Sequence, residues 1–546
     1  MKTISVKHWE HSCGKCGGEF HVEEDAARMA PDAPLYVAPG EYPFSVLDRK
    51  KGVICPHCGH TTMVNLGKGK NKKVELSLLV HPQWLAGSSK QGAEGLPYGG
   101  SAQDDVAATM RWDIERASKI RLLEVRGTLP AEVTCPETKI TFKTDTGTVP
   151  KKSNYACAAC GTVQDVLTTV KATSKTAPMA AYVIQGYSPK RDAAGAPYNG
   201  RFFAKFAHIQ ALQYDSAAGE WESRKNGDLA HYWPKQELYR YERGNTSMLY
   251  NQPQHGHTHW WTMFNPRQLL VHSQLLKAIS EVGSYEDSTR EYVLAAFQQY
   301  LRNQNMYCFW NMQADKMEPH FSNNNYHPKS NVIENCVFSP LGRGNWRACT
   351  EGLTESLEWK ARPWDLISVE SLKRLNPALA EESSGKSEKA SIGDTPLGGM
   401  VHNASSTDLN FIESATLDMV ITDPPFGALI HYSDLADFFY PWLQLALKRT
   451  YKNEFASAFT PKSIEVVSNK GLEDEPDVFY QRLLTQCWSE AHRVLKPGGI
   501  LAFTFHHSAD DPWVAVLESL FDAGFYLEAT YPIRSDETKG DGAKSR

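Results

Sequence analysis

The spacing of apolar and polar positions changes character along this 546-residue chain. From residue 400 onward, short apolar runs alternate with stretches of helical period. MVHNASS and LDMVITD read as strands, and in DLADFFYPWLQLAL the residues Leu435, Phe438, Phe439, Trp442 and Leu443 recur on one helical face. Pro476 suits the first turn of a helix running to Val494, and KPGG reads as a turn. ILAFTFHH then reads as a buried strand, DPWVAVLESLFDAG as a helix and FYLEATYPI as a last strand. Strand and helix in alternation predict an α/β fold with a Rossmann-like, doubly wound sheet. Upstream, FNPRQLLVHSQLLKAISEVG predicts a helix capped by Asn265 and opened by Pro266, with Leu269, Leu270, Leu276 and Ile279 on one side. REYVLAAFQQYLRNQNMYCFW predicts a second, longer helical segment. Residues 378–399, ALAEESSGKSEKASIGDTPLGG, are polar and lack periodicity, which predicts a flexible linker or surface insertion.

Before residue 260 the cysteines organise the chain more clearly than its hydrophobicity does. Six of the eleven fall in three C-x-x-C pairs. Cys13 with Cys16, in SCGKCGG, and Cys55 with Cys58, in ICPHCGH, are each followed by a glycine suited to a tight knuckle that aims two thiolates at one ion. Four thiolates at about 2.3 Å form a closed structural Zn2+ site, the alternative being a pair of vestigial knuckles. Cys135, Cys157 and Cys160 outline a second cluster in which Thr138 stands where a fourth thiolate is expected. Either another side chain, such as a histidine, completes that site, or the knuckle persists as a β-ribbon without metal. Lys50, Lys51, Lys68, Lys70, Lys72 and Lys73 surround the Cys55 knuckle and read equally as phosphate contacts or as a solvated ribbon edge. His255, His257 and His259 would share a face if extended; with no carboxylate or cysteine beside them they read as a polar strand face before a metal trio. Cys308, Cys336, Cys349 and Cys487 are isolated and read as small buried hydrophobes.

Length bounds the organisation at three or four domains of about 150 residues each. The chain divides into a zinc-ribbon region over 1–85, a mixed β-rich region with the second cysteine cluster over 86–260, a helical candidate target-recognition region over 261–377, the linker, and an α/β region over 400–546. A formal net charge of -5 argues against a protein coated in basic residues, while leaving room for a local basic groove. No run of about 18 apolar residues occurs, and the N-terminal segment lacks the apolar centre of a secretory signal, so the expectation is a cytoplasmic protein without membrane contact.

The densest chemistry lies in VITDPPFGALIHYSDLADFF, residues 420–439. Pro424 and Pro425 cannot donate to a sheet ladder, so the strand through Met419, Val420 and Ile421 must stop, leaving Asp423 and Phe426 at its carboxyl end. Ligands of open α/β sheets bind there. An exocyclic amino group on a base is a poor nucleophile until both its hydrogens are held by acceptors and its lone pair is exposed to a methyl donor. The Asp423 carboxylate and the Pro424 carbonyl can be those acceptors, Pro425 helps fix that carbonyl's direction, and Phe426 offers a face on which an extruded base can stack.

DPPF after an apolar strand resembles motif IV of the amino-methyltransferases, which methylate N6 of adenine or N4 of cytosine in DNA with S-adenosylmethionine. YSDLADFFYPWL, VLKPGGILAFTFHH, FNPRQLL and the cysteine knuckles resemble the zinc-ribbon-containing adenine-specific DNA methylases. The resemblance spans most of the chain and is strongest over 400–533. It implies that Asp423, Pro424, Pro425 and Phe426 are catalytic, that Asn403, Ala404 and Ser405 with Asp423 line one side of S-adenosylmethionine, and that DNA is the substrate. DPPF rather than SPPY points to adenine N6, and the absence of a Pro-Cys dipeptide speaks against cytosine C5 chemistry. One departure stands out: the family's Gly-rich cofactor loop, of the type D-P-F-x-G-x-G, occurs nowhere in residues 1–546. The chain therefore reads as an internal piece of the family's full chain, a methyltransferase catalytic half over 400–546. The expected remedy is a second polypeptide that supplies the Gly-rich loop and pairs with the strand before DPPF, with MVHNA and with FYLEATYPI. Two other readings stay open, a zinc-ribbon nucleic-acid-binding protein with an inactive methylase half, and an amino-methyltransferase acting on RNA or protein.

Overall fold

The computed structural model describes residues 2–24, 36–38, 44–47, 52–62, 70–76, 123–125, 131–134, 141–143, 154–156, 163–165, 183–193, 201–205, 214–241, 252, 257–283, 286–311, 316–322, 325–326, 332–339, 342–368, 387–391 and 399–532. They form a mixed α/β protein built from small sheets. Two compact units are distinguished, Met1–Ala230 with Gln252–Val271 and Trp310–Glu318, and His231–Asn251 with His272–Phe309 and Pro319–Arg546.

In the first unit, β1 (Lys2–Ser12) pairs antiparallel with β2 (Glu19–Glu24) and, along its other edge, with β4 (Lys70–Leu76). β3 (Phe44–Leu47) extends the sheet parallel to β2. The turn between β1 and β2 carries the first knuckle, and the two-residue strands Val53–Ile54 and Thr61–Thr62 flank the second. A small core of Cys13, Phe20, Val22, Val53 and Cys55, with Trp9 against it, ties the knuckles to the sheet. Further along, Glu132–Thr134 pairs with Thr141–Lys143, Asn154–Ala156 with Val163–Asp165, and Val183–Tyr187 with Arg201–Lys205, each pair antiparallel. Helix α1 (Tyr214–Arg224) buries Ala218 and Trp221, while Arg224 bonds Glu220 and Asp228 one turn away on either side.

The expected Asn265 helix is α2 (Pro266–Glu281), and its start is a reciprocal cap: the Gln268 amide donates to Asn265 Oδ1 at 2.9 Å, and the Asn265 amide donates to Gln268 Oε1 at 3.1 Å. Leu269, Leu270 and Leu276 are buried as the period requires, and Ile279 is half-buried. In the second unit, α3 (Asp287–Arg302) has the same 16-residue length as α2 and so is shorter than its apolar pattern suggested. Asn305 stops it by turning its side-chain amide back onto the carbonyls of Leu301 and Arg302, which have no helical partner left. Helix α4 (Trp346–Ala361) follows, capped by Asn345. Trp364–Ser368 then pairs antiparallel with Ser387–Ser391, so part of the expected 378–399 linker is strand; residues 378–386 and 392–398 lie outside the described residues.

The predicted helix through DLADFFYPWLQLAL is two, α5 (Tyr432–Ala436) and α6 (Tyr440–Leu447). Pro441 has no N–H to give the preceding turn, and it suits the first turn of a new helix. Phe438 and Trp442 are buried, whereas Leu435, Phe439 and Leu443 are half-buried. Helix α7 spans Pro476–Val494 as expected, and α8 is Asp511–Asp522.

The expected Rossmann-like, doubly wound sheet is not formed among the described residues, where this region holds one parallel pair, β5 (Leu417–Thr422) against β6 (Leu495–Phe503). KPGG is a bulge within β6 rather than a turn before it: Leu417 faces Leu495, Met419 already faces Ile500, and Gly498 takes φ +81° where the chain loops out. Leu501 and Phe503 pack under α7 and α8 against Tyr480, Leu484, Trp488, Val516 and Leu520. On the same strands Met419, Ile421 and Ile500 are exposed, Ile421 by 75%. Neither MVHNASS nor residues 525–532 of FYLEATYPI is strand. Those two segments have strand composition, but among the described residues no neighbouring strand satisfies their backbone groups, so no ladder forms there.

Candidate active site and metal centre

The two knuckles use one local geometry twice. The Cys13 amide donates to Gly18 O and the Gly17 amide to Cys13 O; the Cys55 amide donates to His60 O and the Gly59 amide to Cys55 O. Gly17 at φ +71° and Gly59 at φ +70° make the left-handed step that brings the second cysteine back over the first. His57 joins the turns, its Nε2–H donating to the Glu19 carbonyl at 2.9 Å. Cys13 and Cys55 are buried and Cys16 and Cys58 exposed, and the four sulfurs lie within 4.8 Å of one another. The Cys13–Cys58 and Cys16–Cys55 separations are both 3.7 Å. A tetrahedron with metal–sulfur bonds of about 2.3 Å has edges of about 3.8 Å, so the donor set fits Zn2+. The backbone N–H groups of Cys16 and Lys15 pull the Cys13 thiol down to about 6. At Cys16 the Gly18 amide also pulls down, but the Cys58 thiol, burial and the other two thiols together push it up to about 12. Four negative charges at these separations repel one another, so thiolates would be stable together only around a cation.

Among the described residues this is the one group of histidine, cysteine or carboxylate ligands gathered closely enough to hold a metal. His257 Nδ1 lies 3.0 Å from Thr262 Oγ1 and His259 Nδ1 3.0 Å from Thr258 Oγ1, so these two histidines turn to separate hydroxyls; His255 lies outside the described residues. Cys135, Cys157 and Cys160 lie outside them too, as do Lys50, Lys51 and Lys68, while Lys70, Lys72 and Lys73 are on β4. Of the isolated cysteines Cys308 and Cys349 are buried, Cys487 is half-buried, and Cys336 is exposed, against expectation.

DPPF leaves the carboxyl end of β5, as its two prolines require. Asp423 is exposed, Pro424 buried, and Pro425 and Phe426 half-buried. The Thr504 hydroxyl donates to Asp423 Oδ1 at 2.5 Å, and the Thr504 amide continues the ladder to Thr422 O. Tyr480, buried in the α7 core, donates its hydroxyl to the Pro425 carbonyl at 2.7 Å. The Pro424 carbonyl is left without a protein donor among the described residues. Phe426 meets Phe505 edge to face at 5.2 Å, and Phe505 meets Trp513 likewise at 4.8 Å. Gly427, at φ +64°, turns the chain and accepts from the Ser468 amide. Burial, followed by the charges of Asp423 and Glu465, raises the Tyr432 hydroxyl above its ordinary range.

Behind this turn sits a buried ionic cluster that the sequence reading missed. Lys462 Nζ is 3.0 Å from Asp434 Oδ1 and 2.7 Å from Asp437 Oδ2, all three side chains being nearly inaccessible. Tyr241 donates to Asp434 Oδ1 at 2.5 Å, Thr460 to Asp437 Oδ1 at 2.7 Å, and Tyr326 to the Asp434 carbonyl at 2.7 Å. Burial pushes Asp434 up, but His431, Lys462 and Tyr241 outweigh it and leave the carboxyl below its ordinary range; at Asp437 burial wins. The two carboxylates in turn hold Lys462 above its ordinary range despite its burial. Ser433 donates its amide to Glu465 Oε1 at 2.9 Å and its hydroxyl to Glu465 Oε2, so α5 is tied to the 462–468 segment beside the DPPF turn. One sequence signal could have found the cluster: acids three residues apart, Asp434 and Asp437, inside an otherwise apolar stretch.

The expected cofactor segment is less organised. Asn403 and Ala404 are exposed, and Ser405 faces Thr407 rather than the Asp423 turn, the two hydroxyls lying 2.8 Å apart. No described helix is long and apolar enough to cross a membrane. Comparison with family models, curated proteins and solved structures finds no match.

Proposed function

We propose that this chain carries the target-base half of an S-adenosylmethionine-dependent DNA amino-methyltransferase acting on N6 of adenine, joined to a zinc ribbon whose Zn2+ is structural. The observation that carries this reading is the arrangement of the DPPF turn. Asp423 stands exposed at the carboxyl end of a parallel strand with one oxygen engaged by Thr504, the Pro424 carbonyl is unshared, and Phe426 lies alongside. Two acceptors and a flat apolar face are what an extruded amino base needs. In this reading β5 and β6 are adjacent strands of a Rossmann-like sheet, and Asn403, Ala404 and Ser405 complete one wall of the cofactor site. A second polypeptide supplies the Gly-rich loop, a strand along the open side of β5 and cover for Met419, Ile421 and Ile500.

The test is expression of the chain with its neighbouring reading frames in a host free of adenine methylation, followed by sequencing of modified bases. Adenine N6 methylation is expected. Asp423→Ala should lower transfer at least about a hundredfold, about 2.7 kcal/mol. Phe426→Ala should weaken capture of the base, which Phe426→Tyr or Phe426→Trp should preserve. Methylation at the wild-type rate by Asp423→Ala would remove DPPF from the site, and methyl groups found only on RNA or protein would move the substrate.

A further inference from the structure

We infer that Thr504 is a positioning residue for Asp423, an inference that rests on the reading of DPPF as the amino-group site. Among the described residues Thr504 is the only hydrogen-bond donor to the Asp423 carboxylate, at 2.5 Å. A lone aspartate on an exposed turn rotates about two side-chain torsions and offers either oxygen to water. Here one oxygen is occupied by a protein donor and the other, Oδ2, is left for a ligand. The donor is itself fixed. Its amide is bonded to Thr422 O, and the register that pairs Thr422 with Phe503 sets Thr504 opposite Asp423, one step beyond the last pair of the parallel ladder. A β-branched side chain has few torsional choices, so with the amide held by Thr422 O the hydroxyl direction is restricted as well.

The next residue repeats the relation. Phe505 packs edge to face on Phe426 and is braced in turn by Trp513, whose indole N–H donates to the His507 carbonyl at 3.1 Å. Consecutive residues of one segment, Thr504 and Phe505, thus hold the acceptor and the stacking face of the DPPF turn. Thr504 touches neither base nor cofactor in this scheme. Its effect passes through Asp423, and it limits the carboxylate to the orientation in which Oδ2 and the Pro424 carbonyl can each take one amino hydrogen.

Two properties distinguish this role from a structural one. Thr504 is exposed, so Thr504→Val, which keeps the branch and removes the donor, should leave the melting temperature unchanged. Its effect should also vanish when Asp423 is absent. With the chain co-expressed with its neighbouring reading frames, and duplex DNA and S-adenosylmethionine as probes, Thr504→Val is expected to lower kcat by about tenfold to a hundredfold, with KM for DNA unaltered. Thr504→Ser should return kcat to within about threefold of wild type, since it restores the hydroxyl with looser torsion. The double variant Asp423→Ala with Thr504→Val should be no slower than Asp423→Ala alone. An unchanged kcat in Thr504→Val, or a double variant slowed by the product of the two single effects, overturns the inference while leaving the DPPF reading intact. A wild-type preparation that methylates no adenine overturns the reading beneath it.

Discussion

At Cys13 and Cys55 the backbone itself gathers four sulfurs into a set that could hold Zn2+, since each cysteine heads a turn that ends in a left-handed glycine and donates its own amide back across that turn. Spacing alone predicted this, because C-x-x-C-G admits few geometries that bring both sulfurs to one side. Removing one ligand should undo the whole arrangement, as a four-thiolate site stabilises only the fold that presents all four. Cys55→Ser should release close to one zinc per chain by elemental analysis and speed hydrogen exchange selectively between residues 10 and 75. Full zinc retention would remove the knuckle from the description. Asp423 was equally legible as a residue, because the prolines after it dictate the end of a strand. Its partner Thr504 was not, since the two lie 81 positions apart and nothing local marks the threonine.

Among the elements, helix starts were predicted more faithfully than helix ends. Asn265, Pro266 and Pro476 act locally through caps and first turns, whereas α3 ends where Asn305 folds back, and the break before α6 follows from a proline whose effect the apolar stripe masked. The pairing of α2 with α3 contributes a pH dependence that neither helix holds alone. His272 on α2 is fully buried, its Nε2–H donating to Gln304 O at 2.8 Å while Tyr300 on α3 donates to Nδ1 at 3.0 Å. Burial, outweighing the Gln304 carbonyl, lowers the imidazole from 6.5 to about 3. The folded state therefore keeps the ring neutral where the unfolded chain takes up a proton. The sign follows: this contribution is fully present above about pH 6.5 and is lost as pH falls toward 3, at about 1.4 kcal/mol per unit. Between pH 6.5 and 5 the wild type should lose about 2 kcal/mol more than His272→Gln in urea unfolding. Parallel losses in both proteins would show that the ring is protonated in place.

For the whole molecule, among the described residues helices cover one side of β5 and β6 in the second unit and leave the other exposed. Leu501 and Phe503 are under helices, while Met419, Ile421 and Ile500 face outward on strands that have one neighbour each among the described residues. Val401, Tyr526 and Tyr531 are exposed as well, in the two segments whose strand composition finds no partner among the described residues. Apolar surface and an open ladder next to each other favour association. The purified chain should therefore self-associate in a concentration-dependent way by sedimentation. Because it contains no Gly-rich loop of the expected type, it should also bind S-adenosylmethionine weakly or not at all by calorimetry, with micromolar binding gained on co-expression with a loop-bearing partner. Tight binding by the monodisperse chain alone would mean that the cofactor site is complete within these residues.

The sequence by itself determined what depends on a few adjacent residues: the knuckles from their Cys and Gly spacing, the strand stop at Pro424 and Pro425, the cap at Asn265 and the opening of α7 at Pro476. These are set by backbone geometry and by which groups lack an N–H, and both are local properties. Only the tertiary structure decided that KPGG bulges within β6, that MVHNASS and residues 525–532 are not strand, that Lys462 is enclosed by Asp434 and Asp437, and that Thr504 meets Asp423. A strand needs a neighbour's hydrogen bonds and a buried charge needs a distant counter-charge, so neither outcome is written in the segment where it appears.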